Sequence, residues 1–351
     1  MSAINAQFPT TFEAHWPKSL DPALQSLCTK ISNFFWYVIS ILLFPFTLAA
    51  KAIRYVAYYA IIPPMSFRDD PANFKEQGDH LIRFHRGQRV TIKTADNITL
   101  SGSLFPGTKH PKKAILYASG NAQEWETAHQ EITRLKKTGV TILYVNPRTN
   151  DHTVPDEQGF ALDVWSSFEY LTRQGIDPND IVTIGYSLGG ARGAVGLKLV
   201  QDHFPEKKIN FINERSLGNL STEVYYYVGK VFEYLGHYVP VPSCILNIVS
   251  LVASYISYYG LWLIGGDIDA KSALLSLKGK VCVIHHPKDQ IIPKPAQMIT
   301  ALQGETQKKF TSIEMESTND WLHHQRDFTK NEEKALFKEL SSMLNIPIHV
   351  Q

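Results

Sequence analysis

Cysteine is scarce in these 351 residues: Cys28, Cys244 and Cys282 stand far apart and form no CxxC pair. That excludes a disulfide framework and a cysteine-based zinc site, and an odd, sparse set of thiols fits a reducing compartment. Charge of one sign is also lacking. Lys and Arg total 35 against 33 Asp and Glu, a net of +2. No basic block stands out, so nucleic acid is not an expected partner. No H-E-x-x-H, Walker A or G-x-G-x-x-G run occurs, so neither a metal nor a cofactor is expected. Asp69, Asp70, Asp177 and Asp180 lie beside prolines or turns and read as caps. There is no internal repeat. The first 30 residues carry scattered charges and prolines and do not read as a cleavable signal peptide.

What is present divides into three parts. Residues 1–30 read as a polar leader. Residues 31–65 are an apolar helical segment. It contains FFWYVISILLFPFTLAA (34–50), 17 residues without a charge, at the short end for a bilayer span. An amphipathic KAIRYVAYYAII follows, and PPM (63–65) stops the helix. Two readings stay open: membrane association, or a helix pair docked on the globular part. Residues 85–351 form the third part. RVTIKTADNITLSGSLF alternates around a turn at Ala95–Asn97 and predicts a β-hairpin. Strands are predicted at 113–119, 140–146, 181–186, 208–213, 280–286 and 310–316. Helices are predicted at 123–137, 158–173, 188–201, 294–303 and 330–344, with Thr329 and Glu332 as a capping box. Apolar strands separated by helices imply a mostly parallel sheet covered on both faces.

IGYSLGG (184–190) places G-x-S-x-G directly after an apolar strand and before a helix of small residues. Glycines two residues either side of a serine let strand and helix approach closely, so that the hydroxyl stands exposed at a helix N-terminus. Ser187 is therefore the candidate nucleophile. It needs a base, and the base needs an orienting acid. Asp289 follows the strand at 280–286, and His323 and His324 follow the strand at 310–316. Serine, acid and histidine thus come after three different strands in the order Ser, Asp, His. His324 and His323 are both candidates for the base. His285 and His286 read as structural, and Glu214 is an alternative acid. The Leu188 and Asn121 amides are the candidate oxyanion donors, from the residue after the nucleophile and from the loop SGNAQEWE (119–126).

These residues resemble the α/β-hydrolase superfamily over roughly residues 88–345, through LYASGNA (116–122), IGYSLGG, HHPKDQIIP (285–293) and the late histidine pair. HQRDF, from His324, is similar to the HN-x-x-L run that often begins at the catalytic histidine of that fold. GNAQEWE, INERSLGNLS (212–221) and the apolar N-terminal run more narrowly resemble the CHLPS-type hydrolases of intracellular bacteria. That resemblance implies a protein secreted into a host cell as an effector, whereas the apolar segments imply a membrane-associated one. One run departs from the pattern: residues 146–159 read NPRTNDHTVPDEQG where such hydrolases carry a Gly- and Ser-rich stretch.

The implied fold is an α/β-hydrolase fold with helices on both faces of the sheet and an apolar helical lid insertion at 214–279. Within the insertion, residues 238–266 run 29 residues without a charge. By length they reach across a bilayer. Ser187 precedes that run whereas Asp289 and His324 follow it, so a single crossing would separate nucleophile from base. A lid or an in-plane interfacial helix is expected instead. Tyr225, Tyr226, Tyr227, Tyr255, Tyr258, Tyr259 and Trp262 suit that position. The expected activity is serine-dependent acyl ester hydrolysis, esterase- or lipase-like, on an acyl ester or lipid, with a membrane surface as partner. Within the class, thioesterase and peptidase stay open. From another class, a catalytically inactive interaction module on the same fold is the alternative.

Overall fold

The computed structural model describes residues 71–348 and Lys30, apart from residues 122, 149–155, 237–241, 264–266, 307–309, 319 and 321. The leader and the 31–65 segment thus lie outside the described residues, Lys30 excepted.

Eight strands form one sheet. They are β1 (Gln88–Lys93), β2 (Thr99–Phe105), β3 (His110–Ala118), β4 (Val140–Val145), β5 (Ile181–Tyr186), β6 (Asn210–Glu214), β7 (Val281–His285) and β8 (Thr311–Glu314). Their spatial order is β1-β2-β4-β3-β5-β6-β7-β8. The hairpin β1–β2 is antiparallel, β2 pairs antiparallel with β4, and every later pairing is parallel. The hairpin turns where expected, with Asn97 at φ 67°, a conformation asparagine tolerates.

The sheet separates two apolar clusters, and successive residues of a strand serve opposite ones. In β3, Ala114 and Leu116 enter one cluster while Ile115 and Tyr117 enter the other, the period of two that a strand imposes. The first cluster is covered by α3 (Glu157–Arg173) and α4 (Leu188–His203), the second by α1 (Pro71–His85), α2 (His129–Lys136) and α9 (Lys330–Leu344). β4 is buried at all six positions, which explains its unbroken apolar sequence.

The helix expected at 123–137 is shorter. A 3-10 turn, Trp125–Thr127, precedes α2, because the Trp125 N–H donates to Asn146 Oδ1 at 2.8 Å rather than entering a helix. The Thr329–Glu332 capping box is present at the start of α9. Between β6 and β7 the chain forms α5 (Leu220–Leu235), α6 (Ser243–Leu263) and the short α7 (Ala270–Leu275); α8 (Met298–Ala301) follows β7. α5 and α6 meet through tyrosines, with the Tyr225 and Tyr255 ring centroids 5.3 Å apart.

Candidate active site

The C-terminal ends of β5, β7 and β8 lie along one edge of the sheet, where open α/β sheets place their ligands. Each contributes a side chain. Ser187 follows β5 directly, at φ 53° and ψ −126°. Positive φ is costly for a non-glycine residue and survives only where the surroundings impose it. Here they do. The Ser187 N–H donates to Glu214 O at 2.8 Å, and the backbones on either side are pressed together. A Cβ on Gly189 would stand 2.1 Å from Ala118 O, and one on Gly185 would stand 2.6 Å from Gly189 O. Both glycines of the motif are therefore required by contact, and the strained turn holds the hydroxyl clear of the sheet.

The Ser187 Oγ lies 2.9 Å from His324 Nε2. The other ring nitrogen, Nδ1, lies 2.7 Å from Asp289 Oδ2. The second oxygen of Asp289 accepts from the Ile291 and Ile292 amides, each at 2.8 Å. The carboxylate is thus fixed by its own loop, and the imidazole by the carboxylate. All three residues are buried. Asp289 favours a proton on Nδ1, which leaves Nε2 as the acceptor facing the serine hydroxyl.

His323 does not take part in this relay. Its ring stacks on His286 at 4.2 Å and 11°, and its N–H donates to Gln290 Oε1 at 3.0 Å. His286 is fully buried. Its Nδ1 accepts from the Lys288 N–H and its Nε2 faces Glu316 O, a neutral tautomer. Burial pulls its pKa down, and His323 adds to the shift. Glu214, the alternative acid, is taken by Arg215 at 2.5 Å. Leu188 opens α4, so its N–H belongs to the first turn, whose amides have no partner within the helix. Asn121 lies on the loop after β3, beside Gly120, and a Cβ on Gly120 would approach Ser187 Cβ to 3.4 Å. Of the altered 146–159 run, Arg148 is buried and bound to Asp163 and Asp96, and residues 149–155 lie outside the described residues.

Two residues near the triad did not stand out in the sequence. Tyr186 donates from its hydroxyl to His324 O at 2.8 Å, with its ring 5.4 Å from the imidazole. Its only sequence signal is adjacency to Ser187. Glu223, in the first turn of α5, is 7% exposed, and its Oε2 has no hydrogen-bond partner among the described residues. Burial, with the charge of Asp289 adding to it and Lys230 opposing it, pushes this carboxyl up to about 8. Among the described residues no cluster of His, Cys, Asp and Glu is arranged to hold a metal ion.

The fold is that of the α/β hydrolases. An esterase of Pyrococcus furiosus superposes with a TM-score of 0.53 at 16% identity, covering 81% of this chain and 96% of that one; at that identity the likeness shows the fold alone. No protein-family model matches the chain. Two curated relatives are multifunctional-autoprocessing repeats-in-toxin proteins. The one from Vibrio vulnificus is 30% identical over 124 residues, 32% of this chain. That from Vibrio cholerae is 29% identical over the same length and the same share of this chain. The chain spans only 2% and 3% of those toxins.

Proposed function

We propose that the protein is a serine acyl hydrolase of the esterase or lipase-like kind. The observation that carries this reading is the relay Ser187 Oγ–His324 Nε2–Asp289, at 2.9 and 2.7 Å. His324 takes the serine proton as Oγ attacks an acyl carbonyl. Asp289 holds the reactive tautomer and stabilises the imidazolium that forms. The Leu188 and Asn121 amides receive the oxyanion. His324 then passes its proton to the leaving group, and water releases the acyl group by the same steps in reverse. No cofactor enters the scheme.

The apolar insertion supports an apolar acyl or lipid substrate met at a membrane surface. Cys244–Leu261 of α6 is long and apolar enough to cross a membrane, yet only 11% of it is buried. Ile248 and Ile256 are 64% and 67% exposed. The insertion separates Ser187 from Asp289 and His324 in sequence, so α6 lies in the interface plane and does not cross, acting as a lid over the site. The match to segments of two bacterial toxins favours delivery into a host cell as an effector.

Covalent labelling by a fluorophosphonate, read by intact mass in mild detergent, tests the core of the proposal. Wild type is expected to gain one adduct and Ser187→Ala none. Folded wild type that takes no adduct, with lipid present or absent, would leave the fold as a catalytically inactive interaction module.

A further inference from the structure

Arg192 sits on α4 five residues beyond Ser187, in the small, apolar run GGARGAVGL. It is 3% exposed. A buried guanidinium ordinarily meets a carboxylate. Asp163, the acid whose charge it feels, is instead committed to Arg148: Oδ1 accepts from Nε and Oδ2 from the backbone N–H, each at 2.8 Å. Arg192 donates through Nη2 to two backbone carbonyls, Ser119 O and, at 3.3 Å, Gly120 O. Its guanidinium lies 5.2 Å over the Phe160 ring. Charge-assisted hydrogen bonds to one short loop are thus what this buried cation makes.

Both carbonyls belong to the loop that carries Asn121. The described peptide bonds contain no cis unit, and in a trans unit the C=O and the N–H point in opposite directions. Drawing Gly120 O toward Arg192 therefore turns the Asn121 N–H away from Arg192. Drawing Ser119 O does the same for the Gly120 N–H, which donates to Gln123 Oε1 at 3.0 Å. Gln123 is in turn tied to Glu131 at 3.1 Å. The loop is gripped from both sides beside the nucleophile.

We propose that Arg192, with Gln123 as the opposing grip, positions the oxyanion loop and aims the Asn121 amide at the developing oxyanion. Its positive charge also polarises the Gly120–Asn121 peptide, which strengthens that amide as a donor. Arg192 is a positioning residue. It acts through two carbonyls, and no hydrogen bond joins it to Ser187. The proposal rests on the serine-hydrolase reading above.

The test compares wild type with Arg192→Met, Arg192→Gln and Arg192→Lys. Turnover of a p-nitrophenyl ester is measured alongside inhibition by phenylboronic acid, which becomes tetrahedral on serine. Circular dichroism and melting temperature identify the variants that fold. The expected result is a fall in kcat of about tenfold to a hundredfold in Arg192→Met, against the hundredfold or more for deleting an oxyanion donor outright, with KM within about threefold. Boronate affinity falls in step with kcat/KM, and Arg192→Lys recovers part of both, since an ammonium still donates to one carbonyl. If the methionine variant does not fold, the glutamine variant carries the same comparison against lysine. Folded Met or Gln variants that keep kcat and boronate affinity near wild type overturn the proposal, as does a rise in KM at unchanged kcat. Wild type that neither turns over ester nor takes a fluorophosphonate refutes the hydrolase reading itself, whereas active wild type with unaltered variants refutes only the grip.

Discussion

Replacing Glu223 by glutamine removes a buried ionisable group while keeping its shape. In the folded chain its carboxyl is pushed up to about 8, by burial first and by Asp289 second. In the unfolded chain it titrates near the usual 4.5. Between those values the folded state holds a proton that the unfolded state has lost, so stability falls as pH rises. The contribution is fully present below the unfolded value and is lost as pH passes through about 8. Three pH units from 5 to 8, at 1.36 kcal/mol each, give a loss on the order of 4 kcal/mol. Glutamine does not titrate and loses nothing. The unfolding free energy of wild type minus that of Glu223→Gln is therefore expected to drop by about that amount between pH 5 and pH 8. Glu157, pushed up to about 7, and Asp163, to about 6, also shape the wild-type curve, but they are present in both proteins and cancel. Urea unfolding at four pH values, followed by circular dichroism, measures the difference. A difference that stays level within about 1 kcal/mol would refute the reasoning, because a buried carboxyl without a partner for Oε2 has no other way to titrate.

Other outcomes follow from the same geometry. Asp289→Asn keeps the shape of the side chain but loses the carboxylate that favours a proton on Nδ1. Its kcat is expected to fall by roughly a thousandfold to ten-thousandfold with KM little changed, as steady-state kinetics would show. Tyr186→Phe removes the 2.8 Å hydrogen bond to His324 O. One such bond is worth about 1 kcal/mol, so kcat is expected to fall about fivefold, and an unchanged kcat would make Tyr186 mere packing. Paired Ile248→Asp and Ile256→Asp substitutions place charge on the exposed face of α6. They are expected to abolish sedimentation with phosphatidylcholine vesicles while hydrolysis of a short soluble ester continues; retained sedimentation would sink the membrane proposal.

Much of the sheet was legible because its pattern is local. The β-hairpin, the apolar strands and the Thr329 capping box each sit within a few residues of their cause. The strained turn at Ser187 was legible for the same reason, since Gly185 and Gly189 answer to contacts across that single turn. The choice between two adjacent histidines rested on the likeness of HQRDF to a run in known hydrolases and not on any local chemistry. It is made by where the 320s loop is pinned, and the Gln290 side chain and the His286 ring do the pinning from another strand's loop. Arg192 and Glu223 were hidden for a different reason. A charged residue inside a helix is read as solvent-facing unless its partners are known, and those of Arg192 lie 72 and 73 positions away. The only trace of Arg192 was a lone cation in a run of glycine and alanine. The 3-10 turn at Trp125–Thr127 was missed because a side chain 21 positions on captures its first amide.

The separation of Ser187 from His324 by 137 residues has a consequence in time. Synthesis proceeds at about 5–20 residues per second, so the nucleophile leaves the ribosome on the order of ten seconds before its base. Under the proposed mechanism the nascent chain bears an unactivated serine throughout that interval. A hydrolase of the proposed kind, built in this order, has no activated nucleophile until the final strand and its loop have joined the sheet.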